Sequence, residues 1–207
     1  MTDLWQLVAA ERGAFADDLA GLTEEQWNTP SLCPGWSVRD IVAHMTAAAS
    51  TGPGAFLVQF ATAGFNFDKY ANAGLARQLG GSPTQTLAAF RAVQNSRTSP
   101  PGPKPTWVGE VVVHSEDARR PLGIRHTYNP EALQIAADFY QGSNTLIGAK
   151  NRIAGLSLKA TDQEWTHGTG PLVEGPMLSL VLAMTGRGRH VDDLTGPGVE
   201  ALRGRNR

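Results

Sequence analysis

Apolar residues recur at Leu4, Leu7, Val8, Phe15, Leu19 and Leu22, close to the spacing that lines one face of a helix. The run from Asn28 to Trp36, NTPSLCPGW, carries two prolines and a glycine and reads as a turn. A second helix is predicted to start at Ser37. Ser37 and Asp40 form a variant of the capping box, with Asp where Glu or Gln is usual. Its apolar stripe is Val38, Ile41, Val42 and Met45. From Thr51 to Pro83 the chain is broken by Gly52, Pro53, Gly54, Gly64, Gly80 and Gly81. Between them lie Phe56, Phe60, Phe65, Phe67 and Tyr70, and so many aromatics are rarely left in water. Short helical pieces covering a cleft are expected there. A third helix is predicted from about Thr84 to Arg97, followed by the stiff loop SPPGPKP. A fourth occupies TWVGEVVVHSEDARRPLG, starting at Thr106 and ending before Pro121 and Gly123.

The pattern changes character near residue 127. Residues 130–150 read as another helix. GLSLKA alternates apolar and polar, as a half-buried strand does, and EWTHGTGPLVEGP reads as a second strand. Met177 to Thr185 is apolar nearly all round, which predicts a buried helix ended by Gly186. The chain is therefore expected to be mainly α: a helical bundle over residues 1–127 and a small α/β domain over 128–207.

Composition narrows the function classes. The chain has 207 residues, of which 41% are hydrophobic and 18% charged, so it can bury a real core and is not disordered. A net charge of −1 gives no basic surface for nucleic acid. The single cysteine, Cys33, excludes a disulfide framework within the chain. Charges are mixed into Met1 to Ala20, so no signal peptide is read. No apolar run approaches the roughly 18 residues of a membrane span, and a cytoplasmic protein is expected. Arginine outnumbers lysine 14 to 4, a bias typical of GC-rich genomes.

The chemistry concentrates on the fourth helix. At 100° per residue, Trp107, Val111, His114 and Ala118 share one face, with Glu110 beside it. Residues four apart are neighbours on a helix, so Glu110 and His114 point together toward the core side. An unpaired carboxylate there costs several kcal/mol or is forced to protonate, and a divalent cation removes that penalty. A catalytic zinc site usually takes three protein ligands and leaves a position open. His44, on the flank of the second helix's stripe, is the third candidate. The small Ala48 one turn on leaves room beside it. The same residues also fit plainer readings: a hydrogen-bonded core histidine at His44, and a weak surface pair for Glu110 and His114. Cys33 reads as a packing residue, and Trp36 and Trp107 as core. Asp117 reads as an exposed helix acid, or alternatively as an acceptor that orients a ligand. Arg119 and Arg120 favour the helix C-terminus, or alternatively bind an anionic substrate. His126, His167 and His190 have no ligand-like spacing.

LCPGWSVRDIVAHM resembles the N-terminal signature of the mycothiol-dependent maleylpyruvate isomerase family, within the DinB-like four-helix metalloproteins. GEVVVHSEDARRPLG is similar to that family's second metal segment. LKATDQEWTHGTGPLVEGPMLSLVLAMTGR, followed by DDLTGPGV, is similar to its C-terminal part. The resemblance runs in order over nearly the whole chain and is weakest in residues 51–83 and the Pro-rich loop. It implies a DinB-like four-helix bundle with a small α/β C-terminal domain. It implies a metal held by His44, Glu110 and His114, and an assisting arginine that matches Arg187. Zinc is the metal expected first, with nickel or iron compatible with mixed imidazole and carboxylate ligation. The resemblance further implies mycothiol, the actinobacterial counterpart of glutathione, as thiol cosubstrate, and a small electrophilic, anionic substrate for an isomerase or S-transferase. No nucleic acid and no membrane enter as partners. A metal-dependent hydrolase and a non-catalytic metal-binding module are the other classes compatible with the ligands, although the metalloprotease motif H-E-x-x-H is absent.

Overall fold

The computed structural model describes residues 3–145 and 147–206. The fold is mainly α, and the chain divides into two compact units, Met1–Thr127 and Tyr128–Arg207. The first unit carries α1 (Leu4–Asp18), α2 (Glu24–Trp27), α3 (Val38–Ser50), α4 (Pro53–Thr62), α5 (Phe67–Gln78), α6 (Pro83–Ala92) and α7 (Pro105–Leu122). Four of these close a ring: α1 packs on α6 and α7, and α3 packs on α6 and α7. That ring is the four-helix bundle. Phe15, Leu19, Ile41, Val42, Met45, Phe90, Val111 and Ala118 fill its interior. Burial of each large side chain among them stabilises by about 1.5–3 kcal/mol.

Helix α3 starts where its sequence says. Ser37 Oγ accepts from the Asp40 N–H at 3.2 Å, and Asp40 Oδ2 accepts from the Ser37 N–H at 2.8 Å. Both halves of a capping box are thus made, with Asp as the third-position partner. Helix α6 stops at Ala92, five residues short of the expected end. Tertiary partners claim the backbone beyond it. Arg12 Nη1 donates to the carbonyls of Val93 and Ser96, and Ser96 Oγ donates to the carbonyl of Ala49.

Helix α7 overruns its expected end. It contains Pro121 and closes at Gly123, whose φ of 70° is the left-handed cap conformation. A proline in the last turn removes one N–H and leaves one carbonyl, that of Asp117, without its helix partner. The Leu32 N–H takes that carbonyl at 2.9 Å. The turn before α3 is thereby fastened to the end of α7.

Between α3 and α6 the expected helices form, and α5 buries Leu75, but α4 keeps its apolar residues out of the core. No residue of α4 is buried, and Leu57, Val58 and Phe65 are 64%, 65% and 73% exposed. The aromatics contact one another instead of entering the core: Phe60 packs on Phe56, Phe65, Phe67 and Tyr70 at centroid distances of 5.4–6.0 Å.

The second unit carries α8 (Pro130–Gly142), α9 (Ala149–Arg152), β1 (Ser157–Ala160), β2 (Thr166–His167), β3 (Leu172–Gly175), α10 (Met177–Met184), a 3-10 helix (Gly188–Asp193) and α11 (Val199–Gly204). The single helix expected over 130–150 is two. Asn144 accepts from the Asn151 N–H at 2.9 Å, and such a side-chain bond competes with helix continuation. The sheet has order β2-β1-β3, with β1 antiparallel to β2 and parallel to β3. The one strand expected in EWTHGTGPLVEGP is therefore two. Gly168 and Gly170, at φ of 79° and 132°, turn the chain where any Cβ would strike the carbonyls of Leu156 and Gly155. Helix α10 is buried against α8 and the sheet, as its all-round apolar sequence requires. Among the described residues no helix is long and apolar enough to cross a membrane.

Candidate metal centre

Helices α3 and α7 pack directly on each other, and each brings an imidazole to the contact. The rings of His44 and His114 meet edge to face, 4.9 Å between centroids. The Trp36 ring lies 4.8 Å from that of His44 on the other side. Glu110 stands one turn before His114 on α7. Both of its carboxylate oxygens are buried and have no hydrogen-bond partner.

Burial pushes the Glu110 pKa above the ordinary carboxylate range, while the charges of His114 and Arg12 pull it down. Burial first, and then the charge of His114, lower the His44 pKa to about 3 against a weaker pull from Asp117. His44 is therefore neutral and holds a lone pair available to a metal. Burial would lower His114 as well, but hydrogen bonds to Asp117 and Cys33 outweigh it and raise the pKa to about 10.

The partners of His114 correct two expectations. Asp117 is not an exposed helix acid; it is completely buried. Its Oδ2 lies 3.0 Å from His114 Nδ1. Cys33 is more than a packing residue. Its Sγ donates to the same Oδ2 at 3.1 Å and lies 3.8 Å from His114 Nδ1. The i, i+3 spacing of His114 and Asp117 is a usable sequence signal. The part played by Cys33 had none, because its partners lie more than 80 residues away.

Two ligand sets are available. Among the described residues one trio of metal-binding side chains brings all its ligand atoms within 4.8 Å of one another: Cys33, His114 and Asp117. Ligand atoms around a tetrahedral zinc stand about 3.3–3.7 Å apart. The separations of 3.0 and 3.1 Å at Asp117 are instead those of hydrogen bonds, so this trio is satisfied by its own bonds. His44, Glu110 and His114 do not close within 4.8 Å as a trio. They nevertheless supply what an ion needs. Glu110 has two unmet oxygens, His44 a neutral ring, and His114 an Nε2 left over once Asp117 has engaged Nδ1. Two imidazoles and one carboxylate form a donor set suited to a catalytic zinc-type ion.

The other residues singled out in the sequence have structural partners. Arg119 does not cap the helix end; it is buried over the Phe15 ring at 5.1 Å and paired with Asp18 at 2.7 Å. His126 Nε2 pairs with Glu11 at 2.8 Å. His190 is buried, 3.6 Å from Asp193. Trp107 is buried, as expected, whereas Trp36 is half-buried and donates from Nε1 to Asn72 at 3.1 Å. Arg187 follows α10 in the second unit, where its Nη1 donates to the Thr185 carbonyl at 3.0 Å. That contact is what a cation at a helix C-terminus makes.

No curated protein matches the chain. Two solved structures share its fold: a mycothiol-dependent maleylpyruvate isomerase and a mutant of it. Each is 17% identical and covers 94% of this chain and 91% of its own, with TM-scores of 0.63 and 0.62. At that identity the likeness speaks for the fold alone. Residues 8–119, more than half of the chain and including His44, Glu110, His114 and Asp117, match the family described as the mycothiol maleylpyruvate isomerase N-terminal domain, and the chain belongs to that family.

Proposed function

We propose that this protein is a cytoplasmic, metal- and mycothiol-dependent isomerase or S-transferase acting on a small electrophilic, anionic substrate. The observation that carries the reading is Glu110: a buried carboxylate with both oxygens unmet, one turn from His114 and on the helix that packs against His44. The membership of residues 8–119 in the mycothiol maleylpyruvate isomerase family supports the reaction class.

His44, Glu110 and His114 hold the metal in this reading. Zinc is the first expectation, and nickel or iron suits the same donors. A divalent cation there supplies a Lewis-acidic position that lowers the pKa of a thiol toward neutrality. The chain's own residues do the rest. His44 and His114 supply neutral donors, and Glu110 cancels one of the two positive charges. Arg187 is assigned to the anionic substrate. The thiol sulfur adds to one carbon of an activated cis double bond, and the electron pair moves to the adjoining carbonyl. Rotation about the resulting single bond and loss of the same thiol restore the double bond as trans, with no net change in atoms.

A cobalt-substituted sample tests the thiol step. Addition of mycothiol, or of a simpler thiol, produces a sulfur-to-metal charge-transfer band that weakens at low pH, because protons compete for the sulfur. A metal-loaded protein with no spectral change at millimolar thiol would refute thiol chemistry and leave a hydrolase or a non-catalytic metal module.

A further inference from the structure

The turn Ser31–Trp36 touches both imidazoles of the site, and nothing in the proposed reaction uses it. Ser31 Oγ donates to the Trp36 carbonyl at 2.8 Å and accepts from the Cys33 N–H at 3.1 Å, so the turn is tied internally. The Leu32 N–H docks it on α7 through the Asp117 carbonyl at 2.9 Å, the carbonyl that Pro121 leaves available. One residue on, Cys33 Sγ donates to Asp117 Oδ2, the same oxygen that faces His114 Nδ1. At the far end of the turn, the Trp36 ring packs on His44. Asp117 is thus held from its backbone and its side chain by two consecutive residues, and it is completely buried.

We infer that Asp117 and Cys33 are positioning residues, which hold the His114 ring in the tautomer and orientation that present Nε2 to the metal. The inference rests on His44, Glu110 and His114 being the ligands. A neutral imidazole has one donor and one acceptor nitrogen, and the bond made by one decides what the other offers. A buried carboxylate at Nδ1 keeps the proton there and makes Nε2 the more basic ligand. Cys33 helps hold the carboxylate in turn by donating to the same Oδ2 that faces His114 Nδ1. The sulfur acts through Asp117, neither as a ligand nor as a nucleophile.

The test uses the full chain loaded with cobalt(II). Asp117→Ala lowers cobalt affinity about 10- to 100-fold, the usual consequence of losing a carboxylate behind a ligating histidine. It also abolishes or broadens one of the two far-shifted exchangeable proton resonances that ligated imidazole N–H groups give in the proton NMR spectrum. Asp117→Asn keeps an acceptor oxygen, so it folds, retains both resonances and shows a smaller loss of affinity. Where the alanine variant does not fold, the asparagine variant decides through its affinity. Cys33→Ser keeps a donor and binds cobalt close to wild type, whereas Cys33→Ala weakens binding in the same direction as Asp117→Ala. Wild-type affinity and both resonances in the Asp117 variants overturn the inference. So does a sulfur–cobalt charge-transfer band in thiol-free protein that Cys33→Ser removes, since Cys33 would then be a ligand. A wild-type chain that binds no cobalt fails differently: it removes the ligand set on which the inference depends.

Discussion

Glu110 is the residue at which sequence, energetics and chemistry meet. Spacing alone put a carboxylate beside an imidazole on the inward side of α7, and the fold buries both of its oxygens without a partner. Its pKa is raised by burial, so the folded protein binds a proton there that the unfolded chain has already lost. The consequence for stability has a definite sign. In the metal-free protein the Glu110 charge destabilises at pH 7, and the penalty disappears as the pH falls through the ordinary carboxylate pKa. Glu110→Gln, which carries no charge to bury, therefore stabilises the chelator-treated protein at pH 7 and changes it little at pH 4, although its amide keeps an unmet polar end. The same variant loses metal affinity by at least about 100-fold, since it removes a ligand and not merely a ligand's support. Urea melts at both pH values and a metal titration check the two opposite effects. A Gln variant less stable than wild type in both metal states would show that Arg12 and His114 already satisfy the carboxylate.

At the scale of elements, α3 and α7 differ in how far their own residues specify them. The start of α3 is local, because Ser37 and Asp40 lie three apart and cap each other. Ser37→Ala is expected to cost about 1 kcal/mol through the lost cap, read as a lower urea midpoint at unchanged slope. Metal affinity should barely move, since His44 lies two turns downstream. The end of α7 is not local. Pro121 argues for termination, yet the helix reaches Gly123 because the lost hydrogen bond is replaced by Leu32 from a distant turn. The same docking covers the side of α7 that carries Asp117, while Arg119 is buried on another side, against Phe15 and Asp18 of α1. Helix α4 errs the other way. Its apolar sequence promised burial, but its phenylalanines meet other aromatics across α4 and α5 while Leu57 and Val58 remain in water.

For the whole molecule, a metal held as proposed by His44, Glu110 and His114 would be linked to the fold through the four-helix ring of the first unit. A cation that binds only the folded chain raises its stability by about 2.7 kcal/mol at a hundredfold excess over its dissociation constant. Chelation should lower the melting temperature of wild type and leave that of His44→Ala unchanged. The gain depends on pH with a fixed sign. His114 holds a proton up to about pH 10 without metal, so binding expels one, and affinity rises about tenfold per pH unit across neutrality. Calorimetric titration in buffers of different ionisation enthalpy counts that proton, and uptake independent of pH would contradict it. The sequence by itself determined whatever depends on neighbours within a turn or two: the helical character, the cap of α3, the apolar helix α10, and the placing of Glu110 one turn before His114. It also carried the family, because the motifs LCPGW, H44 in its helix and E-x-x-x-H are contiguous strings. Only the tertiary structure decided that Asp117 is buried behind His114, that Cys33 donates to it from 84 residues away, that α6 ends early on Arg12, and that the phenylalanines after α3 cluster among themselves. Those contacts join residues remote along the chain, and their free energies depend on burial, which no local spacing encodes.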